Sequence, residues 1–550
     1  VSKIKQDKLY FLPLGGSGEI GMNLNLYCCN GKWIMVDLGI SFERALGIDV
    51  VMPDTTFIEE HQADLLGLVV THAHEDHIGA IPYLWNRFQC PIYATPFTAF
   101  LIREKLRDVG LLGLAKVIEI KPRAPFDLGP YSIEYVSITH SIPEAHVLKI
   151  DTPHGRIIHT GDWKLDDHPV VGAVSDESAL KAMGDEGVLA LVCDSTNVFE
   201  EGEAGSELTV QHSLKDIIKA QKQRVVVTCF SSNLARISSC LKIAEETGRK
   251  VVLVGRSMWR MAKAAEYCGY IKSTKQFLGE EAFGDLPADK VLMVCTGSQG
   301  EPRAALTKMA QGTHNKVRLR SGDTVIYSSR EIPGNESAIH QIQDALIDAG
   351  LNVITDNDDL THVSGHPQQD ELKRMYAWVR PKVLIPVHGE RAHLREHAAF
   401  GLEQGIPHTF VPRNGMVIEL SQAGAREVEM VEHGRFALDG AAIVTVDSES
   451  IREREKLMNH GVVMVTVELD KKDNGNATIH LSTIGLPDIG QEGSLTEDLT
   501  WAIQEALLSL KEKHLEKGDY ISDVVSQVVR RTASQILNKK PQVKCHIVGR

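Results

Sequence analysis

Thr71-His72-Ala73-His74-Glu75-Asp76-His77 follows directly on the apolar run Leu66 to Val70. That run is short and almost wholly aliphatic, as expected of a strand covered on both faces. Four potential ligands, His72, His74, Asp76 and His77, then fall within six positions. Regular structure would not let all four face one point, so the segment is expected to be a loop that wraps metal. Imidazole suits zinc and other transition ions, and a carboxylate among the donors admits manganese as well. One tetrahedral catalytic ion takes about three protein ligands, so this loop overfills one site and points to two ions.

Around that loop, the first 200 residues alternate apolar runs with turn signals. Strands are expected at Leu9 to Leu14, Leu24 to Cys28, Trp33 to Val36, Ile133 to Ile138, Val147 to Ile150, Arg156 to His159 and Leu189 to Cys193, with helices at Phe97 to Val109 and Leu208 to Gln221. From about residue 224 the rhythm becomes strand then helix, repeatedly: Arg224 to Cys229, Leu234 to Glu246, Lys250 to Val254, Met258 to Tyr267, Lys290 to Cys295, Thr324 to Tyr327, Ser337 to Ala349. Such a βαβ series predicts a mostly parallel sheet of its own. Val383 to Pro386 and the helix Arg391 to Gly401 read as a return to the first domain, 449–460 as a charged connector, and the tail from 461 as a small α+β domain.

Composition bounds the function. At 550 residues, 43% hydrophobic and 24% charged, the chain is an ordinary globular protein of several domains. Its apolar runs fall far short of the roughly 20 residues that cross a bilayer, so no membrane partner is expected. No charged segment followed by an apolar one opens the chain, and nine cysteines without a C-x-x-C pair suggest thiols in a reducing compartment. The cytoplasm is the expected location. The net charge of −14 argues against a nucleic-acid partner on average. Residues 215–365, however, carry 20 Lys plus Arg against 17 Asp plus Glu, a balance of +3, so the remainder holds −17.

The filled signature His72, His74, Asp76, His77 resembles the H-x-H-x-D-H motif of the metallo-β-lactamase superfamily. That resemblance calls for an earlier strand-end Asp, a later lone His and a later Asp. Asp37 in Met35-Val36-Asp37-Leu38-Gly39, His140 in Ser137-Ile138-Thr139-His140-Ser141 and Asp162 in His159-Thr160-Gly161-Asp162 stand in that order. It implies an αββα sandwich with the metals at one edge: His72, His74 and His140 on one ion, Asp76 and His77 on the other, Asp162 bridging. Asp37 would orient a ligand imidazole from behind.

Three further residues match the nuclease branch with a β-CASP insertion: Asp194 in Val192-Cys193-Asp194-Ser195, His366 in Ser364-Gly365-His366-Pro367 and His388 in Pro386-Val387-His388-Gly389. The resemblance then implies an α/β protein divided as 1–209 (sandwich, first part), 210–365 (parallel βαβ insertion), 366–448 (sandwich, return), 449–460 (linker) and 461–550 (α+β domain). DNA-processing members of the branch typically carry Val where His388 stands, which favours RNA. The opening Leu14-Gly15-Gly16-Ser17-Gly18-Glu19-Ile20-Gly21-Met22-Asn23 and the turn Phe230-Ser231-Ser232-Asn233 are similar to the bacterial ribonuclease J family. One departure is Leu234-Ala235-Arg236, where that family often has a His before the Arg.

Two ions about 3.5 to 4 Å apart would activate a water and offset the charge that builds on phosphorus. Asp76 is the candidate to accept the water's proton, and His388 either ligates the second ion or protonates the leaving oxygen. His366 is a further candidate for contact with phosphate. Ser364, Gly365 and His366 could donate several hydrogen bonds to a terminal 5′-monophosphate, with Ser231, Ser232 and Asn233 as the other wall or merely as a helix cap. The expectation is a 5′-to-3′ exoribonuclease with an accompanying endonuclease activity, in RNA maturation and decay. It would hold two divalent ions, zinc first with manganese or magnesium as alternatives, act on single-stranded RNA and assemble as a homodimer or homotetramer. The competing readings are a DNA-processing nuclease of the same branch, a small-molecule hydrolase such as a thioesterase, and a non-catalytic RNA scaffold. The thioesterase leaves Asp194, His366 and His388 without a purpose, and a scaffold would show decayed ligands.

Overall fold

The computed structural model describes residues 4–469, 477–491, 493–511, 514 and 517–549. They divide into two compact units, the first comprising residues up to 42 and 51–435, the second 43–50 and 436–550.

In the first unit two large sheets face each other. One has eight strands in the order Gly424–Met430, Met416–Ser421, Leu9–Gly15, Leu24–Cys29, Lys32–Val36, Leu65–Val69, Ile92–Ala94, Val117–Glu119. The other has seven: Phe126–Leu128, Tyr131–Ser137, His146–Thr152, Gly155–His159, Ala190–Asp194, Val383–Val387, His408–Thr409. Side chains from both inner faces form one core, with Phe11, Tyr27, Ile34 and Val69 from the first sheet against Ile133, Leu148, Ile157 and Ile385 from the second. A second core lies on the outer face of the seven-stranded sheet, where Ile158, Leu191 and Leu384 pack on Leu180, Leu372, Met375 and Phe400 of three helices. This layering explains why the central strands are apolar at consecutive positions: both faces are covered. It is the α/β sandwich that the metal loop implied.

Chain direction places the chemistry. Lys32–Val36 and Leu65–Val69 run parallel, as do Gly155–His159, Ala190–Asp194 and Val383–Val387, so their carboxyl ends share an edge. Between Ala190–Asp194 and Val383–Val387 the chain builds a separate all-parallel sheet, order Lys250–Val254, Val291–Cys295, Val225–Thr228, Thr324–Tyr327, Asn352–Ile354, with a core of its own around Val226, Met293, Val325 and Ile339.

The second unit contains a three-stranded sheet, Ala477–Ile484, Val462–Leu469, Gln542–Val548, packed on the helices Leu495–Leu508 and Gly518–Leu537. By packing, residues 436–448 group with this unit. The reason is the hairpin Arg435–Asp439 with Ala442–Thr445, whose turn was not read from the sequence. Residues 449–460, read as a helical or extended connector, form the helix Glu449–His460. Short or edge strands such as Ile92–Ala94 and Val117–Glu119 were also missed, being too brief to show a period.

Candidate metal centre

Most of the chemical residues sit at or just past the end of a strand that aims them at the shared edge; His366 instead comes from the loop before the helix Gln369–Val379. Asp37 follows Lys32–Val36, the His72 loop follows Leu65–Val69, Asp162 follows Gly155–His159, Asp194 ends Ala190–Asp194, and His388 follows Val383–Val387. Two of them, Asp37 (φ 62°) and His388 (φ 54°), hold left-handed backbone that costs a non-glycine residue energy. The surroundings enforce it: the His388 N–H donates to the Gly16 carbonyl at 2.7 Å. Gly39 has no substitute, since a Cβ there would fall on the Asp76 carbonyl.

Three imidazole nitrogens converge at one end of the cluster. His74 Nδ1 lies 3.1 Å from His72 Nε2 and 3.0 Å from His140 Nε2. The outer nitrogens fix their direction: His140 Nδ1 donates to the Gly365 carbonyl at 2.5 Å, and His72 Nδ1 meets Thr71 Oγ1 at 3.0 Å. Burial holds His72 and His140 well below the usual imidazole range and His74 down at about 4, so all three are neutral with lone pairs available. Bonds of about 2.0–2.1 Å to a tetrahedral ion would set nitrogens roughly 3.3 Å apart, close to what is seen.

At the other end, His77 Nε2 faces Asp162 Oδ2 at 3.2 Å and Asp76 Oδ2 at 3.4 Å, while its Nδ1 is bonded to Asp37 at 2.7 Å. Asp37 also accepts from the Thr71 N–H and hydroxyl, both at 2.8 Å, so it locks the loop and the ring together. His388 Nε2 stands 3.4 Å from Asp76 Oδ2 and its Nδ1 3.3 Å from Asp162 Oδ1. Neither nitrogen makes an aligned hydrogen bond, and Asp162 Oδ1 also has no partner among the described residues. Burial opposes charge on His77, but Asp162, then Asp76 and Asp37, raise it well above the imidazole range. Asp162 is driven well down against its burial by His388 and His77. Asp76, likewise against burial, is held at about 2 by His77.

The donors thus sort into two groups that could each hold an ion, His72/His74/His140/Asp162 and Asp76/His77/Asp162/His388, with Asp162 in both. Buried donors without hydrogen-bond partners, aimed at a common point, are the arrangement a divalent cation fits. Asp162, Asp194 and His366 form a third group. His366 Nδ1 is bonded to Asp194 at 2.8 Å, and although burial disfavours its charge, Asp194 lifts it to about 9. Ser364 Oγ accepts from Asn197 at 2.7 Å and from the His366 N–H at 3.2 Å, leaving its own proton to give.

The other expected wall is different. Asn233 Oδ1 accepts from the Arg236 N–H at 2.9 Å and caps the helix Leu234–Thr247, with Ser231 and Ser232 half-buried in the turn before it. Sequence reasoning assigned no role to Asn23. Its amide nitrogen reaches the Asp76 carbonyl at 3.1 Å and His77 Nε2 at 3.1 Å. The only signal was its place at the end of a glycine-rich run.

Comparison with known proteins agrees with this geometry. Residues 25–183 match the metallo-beta-lactamase superfamily, 222–346 the beta-CASP domain of ribonuclease J, 350–412 a Zn-dependent metallo-hydrolase RNA specificity domain, and 449–549 the ribonuclease J C-terminal domain. A solved structure from Enterococcus faecalis V583, a protein of unknown function, shares the fold at TM-score 0.53 and 18% identity, over 75% of this chain and 100% of that one. Ribonuclease J of Helicobacter pylori is 33% identical over 97% of this chain and 78% of its own. Ribonuclease J of Sinorhizobium meliloti is 43% identical over 99% of this chain and 98% of its own. With four domain matches in series and that identity along nearly the whole length, the chain belongs to the ribonuclease J family.

Proposed function

We propose that this chain is a metal-dependent hydrolase of RNA phosphodiesters that holds two divalent cations, zinc before manganese or magnesium. His72, His74, His140 and Asp162 would hold one, and Asp76, His77, His388 and Asp162 the other. The observation that carries this is the convergence of the six other side chains on Asp162, with both His388 ring nitrogens and Asp162 Oδ1 buried and unpartnered. Cations held there would supply Lewis-acid chemistry, polarising water and offsetting the charge that develops on phosphorus.

The chain's own residues do the rest. Asp76, with its side chain 28% exposed against 3% for Asp162, stands at the mouth; it accepts the hydrogen bond of the attacking water and relays its proton outward. His388, facing two carboxylates, is assigned as a ligand. His366 is protonated at neutral pH and held by Asp194, so its Nε2–H donates to phosphate or to the leaving oxygen. The Ser364 hydroxyl, the Gly365 N–H and His366 together suit a terminal 5′-monophosphate, which favours 5′-to-3′ degradation of single-stranded RNA, with endonucleolytic cleavage where no such end is engaged. Ser231, Ser232 and Asn233 contribute less, since Asn233 is already spent on a helix cap. The setting is cytoplasmic RNA maturation and decay by a homodimer or homotetramer; no helix of the described residues is long and apolar enough to cross a membrane.

The test compares decay of one RNA bearing a 5′-monophosphate, triphosphate or hydroxyl, in wild type and in Ser364→Ala/His366→Ala. Preference for the monophosphate, lost in the variant, is expected; equal decay of all three ends in wild type contradicts the end-recognition reading.

A further inference from the structure

The last segment of the chain has a charge pattern that the metal chemistry leaves unused. Residues 530–550 hold six Lys or Arg and no Asp or Glu, whereas 461–529 hold five against twelve. Within the second unit, the helix Gly518–Leu537 buries Ile521, Val525, Val528, Val529 and Ala533 against the sheet. Its opposite face is polar. Gln527, Arg530, Arg531, Ser534 and Gln535, joined by Lys540 beyond the helix end, line an open groove of about 490 Å³.

The bland explanation is that cations gather at a helix carboxyl end, where the backbone carbonyls and macrodipole attract them. It accounts for part of the set: Arg530 Nε donates to the Pro541 carbonyl at 3.4 Å, and Lys539 Nζ to the Asn459 carbonyl at 2.9 Å. Arg531 and Lys540 are not so used; they are exposed, and among the described residues no carboxylate lines the groove. Two exposed cations lining one groove, with no carboxylate among its described lining residues, create a local positive potential that favours an anion. Amide and hydroxyl donors beside them, from Gln527, Ser534 and Gln535, add the hydrogen-bonding groups that a phosphodiester and ribose accept and donate to. Among the described residues no aromatic side chain lines the groove, so recognition would track the backbone rather than stack bases.

We infer that this groove, centred on Arg531 and Lys540, is a second, non-catalytic binding site for the phosphodiester backbone of the RNA substrate. The inference rests on the ribonuclease reading of the metal centre, and its test is separable from it. Full-length Arg531→Glu/Lys540→Glu, its milder form Arg531→Gln/Lys540→Gln, and the charge-conserving Arg531→Lys/Lys540→Arg are compared with wild type. With chelator present, binding to unstructured RNA of roughly 40 nucleotides is followed against salt. The reversal variant should bind on the order of ten-fold more weakly, with the slope of log K against log salt reduced by about 1.4 for two single-strand phosphate contacts, the glutamine variant part of the way, and the conserving variant not at all. With metal present, turnover of a 5′-monophosphate RNA of about 5 nucleotides should be unchanged, because it reports the metal centre alone. Wild-type affinity and salt slope in the reversal variant would overturn the inference, as would unchanged RNA binding together with lost binding of polyglutamate, which would assign the groove to protein. An equal loss on the short RNA would also overturn it. Absence of hydrolysis by the wild type, with long-RNA binding still dependent on Arg531 and Lys540, would instead remove the catalytic reading and leave the groove.

Discussion

Two buried polar clusters of the first unit invite comparison. At the sandwich edge, donors crowd together and several remain unpartnered. Where the parallel sheet joins the sandwich, a second cluster has found its counter-charges within the chain. There Arg236 is fully buried; it donates to Glu207 at 2.9 Å, to the Thr361 carbonyl at 2.6 Å and to Ser328. Asp166 accepts from the Glu207 N–H at 2.9 Å and lies 3.5 Å from Lys164, whose Nζ donates to the Gly205 carbonyl. Lys164 bridges to Thr139, the neighbour of His140, and follows Asp162 by two residues. Glu207 Oε1 and Arg236 Nε also lack partners, but their other atoms pair directly, whereas both His388 ring nitrogens and the Asp162 Oδ1 they face make no hydrogen bond among the described residues. The first cluster is read as a binding site and the second as a pin that sets the inserted sheet against the catalytic edge.

Disabling the open cluster should have the largest effect. His72→Ala or Asp162→Asn is expected to lower RNA turnover at least a thousand-fold, with far-ultraviolet circular dichroism unchanged, because electrostatic stabilisation of the transition state is lost while the cores remain. Residual activity within about ten-fold of wild type would erase the distinction between the clusters.

Breaking the pin should act mainly on stability. Arg236→Met leaves Glu207 as a lone buried charge, which costs about 3–5 kcal/mol. Burial pushes Glu207 up, but Arg236 holds it below the ordinary glutamate range. A depressed carboxylate stabilises the fold above its unfolded pKa of about 4.3, and that contribution disappears as pH falls through the folded value. In the variant Glu207 loses this depression and burial alone raises it, so protonation relieves the lone charge as pH falls; the melting-temperature deficit should be largest near neutral pH and the acid limb shallower than in wild type. An unchanged limb would place the Arg236 contribution in packing alone.

Asp194→Asn should be intermediate for catalysis and small for stability. It removes the carboxylate that keeps His366 charged, so turnover should fall about 10²–10⁴-fold, the usual worth of a positioned acid, with metal content retained. Loss of metal on this change would move Asp194 from proton control to ligation. The smallest effect is expected for Asn233→Ala, about 1 kcal/mol for a lost helix cap, with little change in KM. A KM increase beyond about ten-fold would return Asn233 to the RNA-binding wall.

The contrast also explains what the sequence could disclose. His72, His74, Asp76 and His77 are contiguous, so their chemistry is visible without a fold. Asp37, His140, Asp162, Asp194 and His388 are single residues at or just past strand ends and His366 lies in a loop before a helix, and only a resemblance ordered them into a set. Asn23 escaped because an uncharged amide among glycines has no distinctive signature. The pin was invisible for a stronger reason: Lys164 with Asp166, Glu207 and Arg236 come from three separate stretches of the chain, and such residues are ordinarily read as surface. Fold followed the same rule. Long apolar strands such as Leu9–Gly15 were plain, while the hairpin Met416–Ser421 with Gly424–Met430 was overlooked although it closes the edge of the eight-stranded sheet.

The central claim, that the open cluster holds two cations used to cleave RNA, is tested most directly by metal analysis beside activity. Purified protein and its Asp162→Asn form are analysed for bound zinc, manganese and magnesium, then assayed on 5′-labelled RNA before chelation, after it, and after readdition of each metal. The account predicts about two ions per chain in the wild type, loss of cleavage on chelation, recovery on readdition, and fewer ions with no recovery in the variant. Full cleavage by chelated, metal-free wild type would contradict it.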